Sequence, residues 1–431
     1  MNLLARNVSS LLTASFLFGF ASHSNAVPIN QIPGANATIQ SLANMIDTYL
    51  NTTNRAELNS NQERELFDLC DNYAAEIGEA QSQQQINNAI NLLERVSHEE
   101  VGAIGSGFTD TGQDLIGNIV GRLQSLRTGT PALASNTLLL GQTGGAAGDD
   151  FSRLSVYSNF SYGDGSKDQT RNEQGFEFDS TALTLGADYR FSDGLIGGMA
   201  LGFGDSEVEM DNNAGESEGE TLSFTFYTSM YQDNWYLDAS LGYALHDYDN
   251  NRKVVDIGLG INQNLKSNTD GDSLSLSLGA GYNHQMGSWT ADYVARLDSV
   301  AASIDGYSES GGSLALDVGK QEVDSLQGVL GAQFSTAISS DSGVLVPSFG
   351  VELHQEFDDE TRIVTASYRF DPANNQFSFT SDDADETFYL LSAGSSWVMS
   401  QGQQLFLNWD HLAGLSDVSS NTLTLGFRAE L

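Results

Sequence analysis

Residues 421 to 431 read NTLTLGFRAEL. In an extended chain Leu423, Leu425, Phe427, Ala429 and Leu431 share one side, while Thr422, Thr424, Gly426, Arg428 and Glu430 share the other. Side chains of a strand alternate between faces with period two. An apolar side opposite a polar, partly charged side is the pattern of a strand with lipid on one face and a wet lumen on the other. The same pattern recurs back to about residue 152.

Twelve strands are predicted, at roughly 152–163, 178–191, 195–206, 220–232, 235–247, 271–286, 289–304, 322–339, 343–357, 386–399, 404–412 and 421–431. The connections sort by length. Residues 164–177, 207–219, 248–270, 305–321, 358–385 and 413–420 are long. Between them stand tiny turns: Ser192-Asp193-Gly194, Gln232-Asp233-Asn234, Met286-Gly287-Ser288, Ser340-Asp341-Ser342 and Ser400-Gln401-Gly402-Gln403. An even strand number with short turns at one end and long loops at the other is the outer-membrane barrel layout, and a soluble β-sandwich is not expected to sort its loops this way. Parity assigns faces. Leu183, Leu185, Ala187 and Tyr189 point to lipid, and Thr184, Gly186, Asp188 and Arg190 to the lumen. Trp235, Leu237, Ala239, Leu241 and Tyr243 point out, and Tyr236, Asp238, Ser240 and Gly242 in. Trp289, Ala291, Tyr293 and Leu297 point out, and Asp292, Arg296 and Asp298 in. Aromatic residues near strand ends, among them Phe191, Trp235, Trp289 and Trp409, suit an interfacial girdle.

Residues 1–26 read as a secretory signal peptide: Arg6 in the n-region, an apolar core from Leu11 to Phe20, and small residues at Ser24-Asn25-Ala26 before Val27. No other stretch approaches the roughly 18 apolar residues of a transmembrane helix. A membrane domain must then be a closed barrel, the remaining way to pair every backbone group in lipid. The 431 residues carry 18 Lys+Arg against 57 Asp+Glu, a net charge of −39. Phosphate backbones repel such a chain, which argues against nucleic acid. One cysteine, Cys70, excludes an intramolecular disulfide and reads as a small buried hydrophobe.

Residues 27–130 are helical in pattern. Ile39, Leu42, Met45, Ile46 and Leu50 repeat at helical spacing within 36–50. Ser60-Asn61-Gln62-Glu63 is a capping box opening a second helix through Leu66, Leu69 and Tyr73, which Gly78 would stop. Ser82 opens a third helix through Ile86, Ile90 and Leu93, and Ser97 a fourth towards Arg127. The later part of the fourth, 110–127, holds Gly112, Gly117 and Gly121, each costing a helix about 1 kcal/mol relative to Ala. A slim helix fitted to a narrow channel is one reason to accept that cost. Residues 128–150 form a Gly- and Pro-containing linker.

The barrel resembles the translocator domain of the autotransporters, the type V secretion family. Four stretches carry the resemblance, in order: Leu183 to Phe191 (LTLGADYRF), Gly306 to Gly311 (GYSESG, similar to a Gly-Tyr-x-Glu-x-Gly signature), Gly343 to Phe349 (GVLVPSF), and Thr422 to Arg428 (TLTLGFR). The chain departs from the family at its end, where an aromatic is usual: Leu431 is last and Phe427 is the nearest aromatic. Phe427 and Leu431 are therefore the candidate assembly signal for the barrel-assembly machinery. The resemblance implies a helix inside the pore, with the preceding segment outside. The matching helix here is 110–127, in which Asn118, Arg122 and Arg127 are the candidate lumen contacts. Their candidate partners on the wall are Asp188, Asp238 and Asp292, with Arg190 and Arg296 on the same lining. Asn118 lacks the paired Asn associated with linker self-cleavage in some family members, so the linker is expected to stay intact.

No enzyme constellation is visible. Of the histidines after the signal, His98, His246, His284, His354 and His411, none sits in an HExxH arrangement. The segment before the barrel has one His and no GxSxG. Acidic runs around 205–220 and 382–386 lack EF-hand spacing and read as solvated loops. The expected protein is an all-β transmembrane barrel of about twelve antiparallel strands, preceded by a small α-helical region. The segments are 1–26 signal, 27–109 helical passenger-like region, 110–150 pore helix and linker, and 151–431 barrel. It is expected to be a Sec-exported, monomeric outer-membrane protein without a cofactor, bound metal or enzymatic site. It would display or secrete its own helical segment at the cell surface. Outer-membrane lipid, lipopolysaccharide, periplasmic chaperones and the barrel-assembly machinery are its expected partners. The alternatives from the same residues are a plugged structural barrel or narrow pore with a periplasmic helical region, and a surface adhesin.

Overall fold

The computed structural model of the protein describes residues 34–78, 87–88, 90–91, 93–94, 117, 119–123, 153–358, 361–383, 385–399 and 402–431. The signal segment, the 128–150 linker and most of the third and fourth predicted helices lie outside these residues.

Two helices follow the sequence signals. In α1 (Ala37–Thr52), the Asn36 side chain accepts a hydrogen bond from the Ile39 N–H and caps the first turn. Ile39, Leu42, Met45, Ile46 and Tyr49 form its buried stripe. In α2 (Asn61–Gly78), the capping box closes in both directions: the Glu63 N–H donates to Ser60 Oγ, and the Ser60 N–H to the Glu63 carboxylate, each at 3.0 Å. Leu66, Leu69, Cys70, Tyr73 and Ile77 are its buried side.

The strands are β1 (Leu154–Lys167), β2 (Phe176–Ser192), β3 (Leu195–Met210), β4 (Gly215–Gln232), β5 (Trp235–Asp256), β6 (Ile261–Met286), β7 (Trp289–Ile304), β8 (Tyr307–Ser308), β9 (Leu316–Val318), β10 (Gln321–Thr336), β11 (Ile338–Ser340), β12 (Gly343–Glu356), β13 (Ile363–Tyr368), β14 (Gln376–Thr380), β15 (Thr387–Val398), β16 (Gln404–Ala413) and β17 (Val418–Glu430). Twelve of them, β1 to β7, β10, β12 and β15 to β17, form one antiparallel sheet that closes on itself through β1–β17 and β10–β12. β11 prolongs the turn into β12. Closure removes every edge within the membrane-spanning wall.

The outer face carries Leu183, Leu185, Tyr189, Trp235, Leu237, Leu241, Tyr293 and Leu297 in the open, as parity requires. Lumenal glycines accept aromatic rings from the neighbouring strand. A Cβ on Gly186 would collide with the Tyr157 ring, and one on Gly281 with the Tyr236 ring. These positions need glycine for close approach.

The loop lengths are corrected by the structure. Residues 207–219 and 248–270, read as loops, are largely strand: β3 runs to Met210, β4 starts at Gly215, β5 ends at Asp256 and β6 starts at Ile261. Lipid-facing residues on β5 end at Leu245, above which Asp247 and Asp249 point outward. A spanning strand needs roughly 9–11 residues, so the remainder of these hairpins stands in water. There, acidic residues end the lipid-facing pattern without ending the hydrogen-bond ladder.

Residues 305–321 and 358–385 are corrected too. They hold a second sheet, in the order β14-β13-β9-β8, at the long-loop end of the barrel. A core forms there from Ile39, Leu42, Ile46, Leu66 and Tyr73 of the helices, Val254 and Leu265 of the tall hairpin, and Leu316, Val364, Phe377 and Phe379 of the small sheet.

Candidate functional site in the lumen and at its outer mouth

The described part of the fourth helix, 119–123, lies inside the barrel near the short-turn end. Ile119 and Leu123 pack on Tyr157, Ile196, Ala200 and Tyr227 of the inner wall. Arg122 beside them is fully buried. Its guanidinium is ion-paired to Asp188 of β2, lies 3.3 Å from Ser155 Oγ, and sits 4.4 Å from the centre of the Tyr157 ring. Ser155 Oγ in turn donates to Asp188 at 2.9 Å. A buried charge is tolerable when paired and further hydrogen-bonded, and a ring face adds attraction.

The other candidates sit apart from Arg122. Asp238 accepts from Ser229 Oγ, and Asp292 from the Tyr236 hydroxyl at 2.7 Å. Arg296 pairs with Asp298 at 2.6 Å and Glu352 at 3.0 Å on its own wall. Arg190 is half-buried next to Tyr189, towards the short-turn end of β2, its N–H donating to the Arg153 carbonyl. Asn118 and Arg127 lie outside the described residues. Phe427 points outward from β17, and Leu431 ends the chain exposed, its N–H donating to the Leu154 carbonyl at 3.0 Å.

The expectation that glycines slim the helix against a tight wall is not met at the two described positions. Among the described residues, and apart from the helix's own backbone, no heavy atom lies within 4 Å of where a Cβ would stand on Gly117 or Gly121.

At the mouth, α1 lies along the edge strand β14. The Ser378 N–H donates to Ser41 Oγ at 2.8 Å and the Thr380 N–H to Thr38 Oγ1 at 3.0 Å. Two outward amide groups of the edge are thereby satisfied. Asn36 also donates from Nδ2 to the Arg171 carbonyl, tying the start of α1 to the β1–β2 loop. Glu309, in the GYSESG stretch, receives Arg252 Nε at 2.9 Å, Arg252 Nη2 at 2.6 Å and the Leu316 N–H at 2.9 Å. This bidentate pair fastens the small sheet to the tall hairpin. Arg252 carried no visible signal, because its partner is 57 residues away. Burial, reinforced by Asp371 and Asp71, pushes the Cys70 thiol well above its ordinary range. Hydrogen bonds from the Ser60 and Asn59 N–H groups hold the Glu63 carboxyl below its ordinary value.

A closed twelve-stranded barrel with a lipid-facing outer wall and a helix in its lumen defines an outer-membrane barrel of the translocator type. The chain belongs to the autotransporter β-domain family, whose model, described as "Autotransporter beta-domain", matches residues 156–410. The fold is shared with the translocator domain of the autotransporter NalP from Neisseria meningitidis: TM-score 0.52, 14% identity, covering 75% of this chain and 99% of that one. Esterase EstA of Pseudomonas aeruginosa is 30% identical over 201 residues, 44% of this chain and 30% of that protein, and EstA of Pseudomonas putida gives the same figures. The match thus spans less than a third of the length of these relatives. The barrel's place is the bacterial outer membrane.

Proposed function

We propose that this barrel carries its own N-terminal helical segment through its lumen and holds it at the cell surface as a cap. The observation that carries the reading is chain order. The helices α1 and α2 pack at the long-loop end, the Arg122 helix lies in the lumen, and β1 begins at the short-turn end. A chain running from outside, through the pore, to the inner end of the first strand has the connectivity of a segment passed outward. The same contacts favour a retained cap over a released product, since the barrel's loops supply part of the cap's core. A plugged barrel with periplasmic helices fits less well, because α1 is hydrogen-bonded to a long-loop strand.

Protease shaving of intact cells, with an epitope tag after Val27, tests this. Loss of the tag with the barrel intact is expected. A tag that survives until the outer membrane is permeabilised overturns the reading. Assembly as a monomer through periplasmic chaperones and the barrel-assembly machinery, within lipopolysaccharide and lipid, belongs to the same proposal. Depleting that machinery should then abolish the heat-modifiable form.

Esterase activity, named for EstA, is not part of the proposal. Residues 27–109 contain one histidine and no GxSxG, so they offer no visible triad. Hydrolysis of p-nitrophenyl butyrate by the purified full chain above the rate of the heat-denatured protein would contradict a non-enzymatic role.

A further inference from the structure

The β1–β2 loop and the segment that follows β14 meet above the lipid band. On β1 the lipid-facing residues end at Phe160 and Tyr162, and Asp164 already points outward beyond them. Lys167, the last residue of β1, is held on both sides by ladder pairs with Val418 and Phe176. Its side chain is 12% exposed, beside Glu173 at 6% and Asp382 at 24%. The ammonium is ion-paired to the Glu173 carboxylate, and Nζ stands 3.7 Å from Asp382 Oδ2. Three features separate this cluster from an ordinary ion pair. Burial pulls the Lys167 ammonium below its ordinary pKa; Asp382 and Asp417 oppose this and Arg362 adds to it. Glu173 Oε1 is buried and has no hydrogen-bond partner among the described residues. Both oxygens of Asp382 accept from neutral donors, Oδ2 from Thr170 Oγ1 at 2.5 Å and Oδ1 from Asn172 Nδ2 at 2.8 Å. The turn carrying these donors is itself fixed, since the Thr170 N–H donates to the Glu173 carbonyl and the Glu173 N–H to Thr170 Oγ1, each at 3.0 Å.

We infer that Lys167 and Asp382 condense to an intramolecular amide bond, with Glu173 carrying the proton. The reactive form has the same number of protons as the ion-paired one. Moving one proton from Nζ to Asp382 leaves a neutral amine beside a neutral carboxylic acid, and so buries fewer charges. Nζ then attacks Cγ of Asp382 and the N–C bond forms. Thr170 and Asn172 hold the two oxygens as that carbon becomes tetrahedral. Glu173 takes a proton from the attacking nitrogen and hands it to the departing hydroxyl. The C–O bond breaks, water leaves, and Glu173 is a carboxylate again. The step consumes no oxidant, nucleotide or other co-reactant. Its place gives it a use: Asn36 Nδ2 donates to the Arg171 carbonyl of the same loop, at 2.6 Å, so the link fastens the loop that holds the start of α1. The bond forms between two loops of the barrel itself. It goes beyond the display reading and does not depend on the route taken by α1 and α2, so shaving and cross-linking can fail separately.

The test is mass spectrometry of the full chain purified from outer membranes. The expected intact mass is lower than that of the open chain by one water. Trypsin should then give a branched peptide that joins 154–171 to 370–428, with no cleavage after Lys167. Lys167→Arg and Asp382→Ala should each restore the mass expected for an open chain and release the two peptides separately. Glu173→Gln keeps both reacting groups and should nonetheless leave them unjoined, an outcome that a merely structural ion pair does not predict. A full-mass wild-type protein without the branched peptide overturns the inference. So does a water loss with no branch, as a cyclised aspartate gives, or one that persists in Asp382→Ala with 154–171 joined to 172–190, which would make Glu173 the acylating partner. The wild-type measurement needs no variant to assemble, so the inference can fail on it alone.

Discussion

Arg122 is the residue on which the lumenal helix turns. Its guanidinium has no contact with solvent and is answered by Asp188, Ser155 and the Tyr157 ring. Replacing it by alanine strands the Asp188 carboxylate in a buried wall, a change worth about 3–5 kcal/mol. Arg122→Met combined with Asp188→Leu should cost less than either single change, since neither charge is then left alone. Thermal unfolding in detergent of the four proteins of that cycle checks this; purely additive losses would show that the pair is not coupled. Arg122→Lys should fall between, keeping the charge but not the planar fork. Parity puts Asp188, Asp238 and Asp292 on one wall, and no feature of the sequence ranks them. Partner choice depends on the height at which the helix stops in the lumen, a property of three-dimensional packing. Cys70 gives a second residue-scale expectation. Its thiol is buried and its pKa is raised, so the reactive thiolate is scarce. Maleimide at neutral pH should leave the folded protein unlabelled and label it after urea.

At the scale of elements, the sequence was most informative where geometry is periodic and least where water replaces lipid. All twelve barrel strands were legible because a lipid-facing side cannot tolerate a slip of one residue. The upper ends of β3 to β6 were not, because Glu207, Glu218, Asp247 and Asp249 face water and satisfy no lipid rule. The small sheet was missed for a related reason. Strands β13 and β14 are 6 and 5 residues long and were hidden inside connections read as loops, although Val364 to Tyr368 and QFSFT place apolar and polar residues alternately. The capping box of α2 was legible and makes a pH prediction. The Glu63 carboxyl is held below its ordinary value in the folded chain. Its contribution is therefore present above that ordinary value and is lost as pH falls through the lower, folded one. Protection of the amides from Asn61 to Glu65, measured relative to their intrinsic exchange rates, should fall on acidification, and Glu63→Gln should remove that dependence. The α1–β14 contact is testable in the same way. Thr38→Val and Ser41→Ala each withdraw one acceptor from the edge strand, at about 1 kcal/mol each. Protection should fall at the Thr380 amide in the first variant and at Ser378 in the second. Unchanged protection at both would mean that the helix does not shield the edge.

For the whole molecule the question is whether the helices and the barrel's loops are one body or two. A helical pair of this size has little core of its own, and isolated helices this short are marginal in water. In this chain α1 and α2 share a continuous core with the small sheet and the β5–β6 hairpin, and Phe377 stands in it with 1% exposure. Phe377→Ala removes a large side chain from β14, at about 3–5 kcal/mol. If the helices and the small sheet fold together, this loss is felt in α2, and Cys70 becomes reactive to maleimide under native conditions although it lies on another element. If the helices were an independent domain resting on the loops, Phe377→Ala would loosen β14 and leave Cys70 protected. The barrel itself should be indifferent in both cases, since its wall is closed by its own ladders. Heat-modifiability should therefore stay at the wild-type temperature while labelling of Cys70 rises. That combination, an undisturbed barrel beneath a loosened cap, is the outcome expected when the helical segment completes its fold on the barrel that carries it.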